Sequence, residues 1–181
     1  MKKILVATGV ALTAVFANAA VCNWDAEDLY THVESGTSTE LASGYVAYLI
    51  DAAVLAPTAV IDAINDKNGN GFSAVTSAGA VADYPSAAGY LEGNDVGNYT
   101  GESLTAYLII FDNSDILKAK YAYVTETQTK DIPTSGLPVY MDTWDLSASA
   151  NSANWSAVPE PTSGLLMLLG MAGLALRRRR A

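Results

Sequence analysis

The sequence predicts a mainly β protein: a single β-sandwich-like domain with one or two short helices, flanked by an N-terminal signal peptide and a C-terminal transmembrane helix. Three observations carry the β assignment. Residues 44–51 (GYVAYLID) and 105–112 (TAYLIIFD) are apolar runs rich in Tyr, Val and Ile and bounded by turn residues, the pattern of buried strands. Residues 120–130 (KYAYVTETQTK) alternate, which places Tyr121, Tyr123, Thr125, Thr127 and Thr129 on one face of a third strand and Ala122 and Val124 on the other. Helical periodicity is sparse, and the stretch between the two terminal signals has the length of one domain with a proper core.

In chain order, Lys2 and Lys3 form a positive n-region, residues 4–16 an apolar h-region, and Ala17-Asn18-Ala19 an A-x-A cleavage site. Together they predict a secretory signal peptide over residues 1–19. A first transmembrane anchor is the alternative, disfavoured by the short apolar stretch and its small-residue end. Residues 20–146 then form the exported domain. Cys22 is the sole cysteine, so no intrachain disulfide can staple the fold. Its place after the cleavage site suits either lipidation or a plain small apolar residue, and Val21 is a poor residue to precede a lipidated cysteine.

Pro57 at a first-turn position followed by TAVIDAI predicts one short helix. The string Asp66-Lys67-Asn68-Gly69-Asn70-Gly71 follows it. Asp66, Asn68 and Asn70 stand at positions one, three and five, with glycine at six, as in the first half of a calcium loop. The twelfth position is Ser77 where an EF-hand has its bidentate glutamate, and the same string also suits a plain tight turn. Residues 73–101 are dense in Ala, Gly, Ser and Asn and predict a small hairpin whose turns include Glu92-Gly93-Asn94-Asp95. Residues 115–119 predict a turn of helix capped by Ser114. Residues 137–144 supply a fourth strand, and 147–157 a polar linker. The strings around 47–50 and 106–109 share A-Y-L-I, without establishing a repeat period.

Charge and side-chain inventory exclude several functions. Residues 20–157 hold 18 Asp and Glu against four Lys (Lys67, Lys118, Lys120, Lys130) and no Arg, a net charge of −14 against −9 for the whole chain. Nucleic acid is therefore not a partner, since phosphate binding needs a basic footprint. His32 is the lone histidine and sits in no nucleophile motif, which argues against Ser-His-Asp or Cys-His chemistry and against zinc. No catalytic residue is assigned, no cofactor is expected beyond calcium at the Asp66 loop, and the chain is expected not to be an enzyme. A carboxylate pair among 18 acids keeps a small secreted hydrolase as the alternative. Ten tyrosines and Trp24, Trp144 and Trp155 leave room for a sugar-binding surface. The threonines of 125–129 form a single row, short of the flat array of an ice-binding face, and Thr is common in strands anyway.

The C-terminal 24 residues, VPEPTSGLLMLLGMAGLALRRRRA, form the most specific motif. Residues 165–176 carry no charge. Even counted from Thr162 the run is about 22 Å long as a helix, against the ~30 Å hydrocarbon core. Pro159 and Pro161 keep the residues before it extended. Arg177, Arg178, Arg179 and Arg180 form a basic stop that orients the preceding side outward. The bland reading is a C-terminal anchor.

The order of proline motif, apolar helix and arginine stop over residues 158–181 resembles the PEP-CTERM sorting signal of exopolysaccharide-producing Gram-negative bacteria. The same tail is also catalogued as an ice-binding-protein C-terminal domain. The resemblance implies that an exosortase, an integral-membrane cysteine protease, recognises Pro159, Glu160 and Pro161, while Arg177 to Arg180 retain the tail. It further implies export by the secretion machinery, a precursor in the inner membrane with its body outside the cytoplasm, and a mature form at the cell surface or beyond. Extracellular polysaccharide is the expected associate of the body.

Overall fold

The computed structural model describes residues 19–41, 43–65 and 88–158. The expected signal peptide up to Asn18, the Asp66, Asn68 and Asn70 loop, and the sorting tail from Pro159 onward lie outside them. Among the described residues, no helix is long and apolar enough to cross a membrane.

Two sheets share one core. The first contains β1 (Ala20–Glu27), which pairs antiparallel with β3 (Leu91–Tyr99) on one side and parallel with β7 (Val139–Tyr140) and β8 (Trp144–Asp145) on the other. The second runs in the order β2 (Val46–Asp51), β4 (Ser103–Phe111), β5 (Tyr121–Val124) and β9 (Ser156–Ala157), with β6 (Gln128–Asp131) also on β4. Between the sheets lie Cys22, Trp24 and Ala26 of β1, Leu104, Leu108 and Ile110 of β4, and Trp155. The mainly β class expected from the sequence holds.

The two tyrosine-rich runs become neighbours. β2 and β4 pair antiparallel with Leu49 opposite Leu108, so the two A-Y-L-I strings lie against each other. β4 is buried on both faces, because its odd-numbered residues Tyr107, Ile109 and Phe111 meet a second apolar layer. That layer is closed by helix α1 (Pro57–Asn65), whose Val60 is fully buried, and by Leu55, whose carbonyl accepts the Tyr107 hydroxyl at 2.9 Å. Pro57 opens α1 where its missing N–H costs no hydrogen bond.

Residues 120–130 are not one strand. β5 pairs with β4 through Ile109↔Val124 and Phe111↔Ala122, whereas β6 pairs through Ser103↔Asp131 and Ala106↔Gln128. The two registers differ by one residue, and this bulge turns the chain over. Before it Tyr123 faces the inter-sheet core; after it Thr129 faces outward, its hydroxyl 2.8 Å from that of Thr105. The expected threonine row is thereby broken. Thr125 is buried at the bulge: its hydroxyl accepts the Leu108 N–H at 2.9 Å and donates to the Glu126 carbonyl at 3.0 Å, replacing a ladder bond.

The expected fourth strand is split in the same way. Relative to β1, β8 is one residue out of step with β7. The two interruptions meet across the mouth of the sandwich. Gln128 exchanges hydrogen bonds with the Asp142 backbone at 2.9 and 3.1 Å, Lys130 Nζ is 2.7 Å from Asp142 Oδ1, and the Trp144 indole donates to the Glu126 carbonyl at 3.1 Å.

Three further expectations are corrected. Glu92 to Asp95 lie inside β3 and are not a hairpin turn: two register irregularities between β1 and β3 absorb the turn-forming residues. Asp95 and Gly97 there take positive φ, 55° and 72°. A Cβ on Gly97 would lie 2.5 Å from the Tyr99 ring, so glycine is required. Residues 115–119 form a turn bonded by the Asn113 and Asp115 side chains.

The polar linker expected over 147–157 is part of the domain. It folds as two 3₁₀ turns, Ser147–Ala150 and Ser152–Asn154, followed by β9. Its serines act as ties. Ser149 Oγ accepts the Tyr30 N–H at 2.8 Å, Ser152 Oγ donates to the Val33 carbonyl at 2.7 Å, and the Trp155 indole donates to the Ser149 carbonyl at 2.8 Å. β1 had no counterpart in the sequence expectations. It begins at the buried Ala20, directly after the exposed Ala19.

Candidate functional site

Alternation along β1 sends Cys22, Trp24 and Ala26 into the core and leaves Asn23, Asp25 and Glu27 on the outer face of the first sheet. Antiparallel pairing puts Glu92 of β3 opposite Asp25, and parallel pairing puts Tyr140 of β7 beside Asn23. These residues, with Tyr90 and Asn94, line an open cleft of about 250 Å³.

The Tyr90 hydroxyl lies 3.4 Å from both Asp25 Oδ2 and Glu92 Oε2. Burial, then the Asp25 and Glu92 carboxylates, push that hydroxyl above its ordinary pKa, so it stays a proton donor. Thr143 Oγ1 donates to Asp25 Oδ1 at 3.0 Å, and Asn94 Nδ2 to Glu92 Oε1 at 3.4 Å. With the Tyr90, Thr143 and Asn94 donors in place, each carboxylate still has acceptor capacity left for a ligand in the cleft. Tyr140, 66% exposed, supplies an aromatic surface beside them. Carboxylates, amides and a bare tyrosine ring are the groups that hydrogen-bond and stack on a polyhydroxylated ligand. A second cleft of about 390 Å³ opens where the two strand interruptions meet and is lined by Thr125, Glu126, Thr127, Trp144 and Asp145.

Other chemistry finds little footing. Cys22 is fully buried, and burial pushes its thiol up to about 12, so it presents no thiolate in this fold. His32 stacks on Tyr121 with ring centroids 3.7 Å apart and meets Trp155 edge-on at 5.7 Å, as one member of an aromatic group. Among the described residues, no three His, Cys, Asp or Glu side chains are placed to hold a metal ion, and no carboxylate is buried. The candidate calcium ligands Asp66, Asn68 and Asn70 lie outside those residues, as do Ala17, Pro159, Glu160, Pro161 and Arg177 to Arg180. The cleft itself was not anticipated from the sequence. Its signal was present in the alternation of N-W-D-A-E over residues 23–27, but Asp25 meets Glu92 only through a long-range pairing.

The last described residues are tied into the second sheet. Ala157 pairs with Tyr121, and Val158, 3% exposed, donates its N–H to the Lys120 carbonyl at 2.7 Å. Val158 packs in the outer apolar layer with Phe111 and Ala122. No curated protein and no solved structure matches the chain. Residues 157–180 match a family model, that of the PEP-CTERM protein-sorting motif, so the chain carries this sorting signal, beginning where the described domain closes.

Proposed function

We propose that the chain is an exported surface or extracellular-matrix protein. It is held in the inner membrane as a precursor and cut near Pro159, Glu160 and Pro161 by an exosortase-type protease, and its body acts by binding rather than catalysis. The sorting match over residues 157–180 carries this reading. The buried Val158 adds to it, because a cut beyond Val158 leaves β9 and the core whole. Replacing Pro159, Glu160 and Pro161 together by alanine is expected to leave an uncut, membrane-held chain, measured by mass and fractionation in the native cell. Normal release of the mature body would sink the assignment.

For the body, extracellular polysaccharide is the proposed ligand and the Asp25–Glu92 cleft its site. The acidic surface disfavours polyanions and fits a neutral sugar chain. A second reading, a small secreted carboxylate-dependent hydrolase, draws on the convergence of Asp25 and Glu92 on one hydroxyl. Reducing-end release from polysaccharide that disappears in both D25N and E92Q would establish the hydrolase; binding without release would leave the binding protein.

A further inference from the structure

The two clefts of the body repeat one arrangement along one strand. In the first, the Tyr90 hydroxyl lies 3.4 Å from both Asp25 and Glu92. The second is lined by Tyr123, and burial, then the nearby Asp145 and Glu126 carboxylates, push that hydroxyl above its ordinary pKa. Thr127, Thr143 and Ser147 are exposed on the rim of the second cleft. Among the described residues, no Lys or Arg lines either one.

The clefts also share a wall. β1 and β8 run parallel with Ala26 beside Trp144 and Glu27 beside Asp145, a register that sets Thr143 beside Asp25 on the outer face of the first sheet. Thr143 lines the second cleft, and its hydroxyl donates at 3.0 Å to Asp25 of the first. Asp145 lies level with Glu27, two residues beyond Asp25, so the two aspartates are offset by about 7 Å along the strand. From Asn23 to Glu27 the face runs for about 13 Å, longer than one sugar ring.

We propose that the two clefts are subsites of a single groove, which takes a linear polysaccharide free of acidic groups across the Thr143–Asp25 wall; this rests on the polysaccharide reading above and extends it to the second cleft. Two like subsites in line fit a ligand that itself repeats. Each carboxylate pair accepts hydroxyls of one stretch of the chain, and the stretch bound first holds the next at high effective concentration over its own subsite. A compact ligand would occupy one cleft only, and an acidic chain would be repelled by the carboxylates of both.

The test uses the full chain in a detergent without a sugar headgroup. The probes are the non-acidic exopolysaccharide fraction of the native cell and the disaccharides and hexasaccharides made from it by partial acid hydrolysis, with binding measured by titration calorimetry. The parent is expected to hold the hexasaccharide at least about tenfold more tightly than the disaccharide. E126Q with D145N, both exposed positions in the second cleft, should cost the hexasaccharide and the intact polymer about tenfold and the disaccharide no more than about twofold, since the first cleft remains to it. A hexasaccharide held no more tightly than the disaccharide, or polymer binding untouched by E126Q with D145N, would overturn the joined groove and leave the Asp25–Glu92 site standing. Failure of the parent to bind the intact polymer would overturn both.

Discussion

The two sheets of the sandwich are built to different ends. The second is packed on both faces, between the shared core and the layer of α1, Leu55 and Val158. Among the described residues the first packs one face only, and its other face carries Asn23, Asp25, Glu92 and Tyr140 around a cleft. Apolar packing on two sides spends nearly every side chain of β4 on stability. A sheet packed on one side keeps alternate side chains for binding, at little cost to the fold.

This contrast can be broken at its strongest point. F111A, in the outer layer of the second sheet, is expected to lower stability by about 3–5 kcal/mol, whereas Y140A on the first sheet should stay within about 0.5 kcal/mol; urea melts check both. Equal losses would erase the distinction.

Next in size is the bulge. T125V keeps the shape of the side chain but leaves the buried Leu108 N–H without its acceptor, an expected cost of about 1–3 kcal/mol, while T125S should restore most of it. Binding should separate from stability on the first sheet. D25N with E92Q is expected to weaken polysaccharide retention in affinity electrophoresis by about tenfold or more, with the melting temperature nearly unchanged.

The smallest effect is electrostatic. The Asp145 carboxylate accepts the Ser147 N–H at 2.9 Å, and hydrogen bonding at Ser147 lowers its pKa. A lowered folded pKa means that its contribution is present above the ordinary carboxylate value, about 4, and is lost as pH falls through the lowered one. D145N should therefore remove the acid-range slope and leave the chain slightly less stable at neutral pH, the difference from the parent vanishing as pH falls through the lowered pKa.

How much of this was legible in the sequence follows from locality. β2, β4 and α1 announce themselves because bulky Tyr, Ile and Val runs and a first-turn proline act through near neighbours. β1 was missed because it builds its inner face partly from Ala20, Cys22 and Ala26, small residues that make a weak alternation. β3 was read as a turn because its Gly and Asn residues belong to bulges, which use the same residue types. The 147–157 segment looked like a linker because its serines bond to a distant loop. The sorting tail was plain, since its parts are consecutive; the cleft was not, since its carboxylates meet only once β1 and β3 have paired.

The short edge strand β9 also sets how the body responds to mechanical load. Tension applied from the tether reaches the Val158–Lys120 hydrogen bond first and would peel β9 from β5 one rung at a time. Peeling then meets Trp155, whose ring is wedged against His32, Tyr45 and Tyr123. That ring is a brake: a pull weak enough to stop there frays the edge and lets it re-zip, and only a pull that extracts the indole would open the barrier between the two sheets.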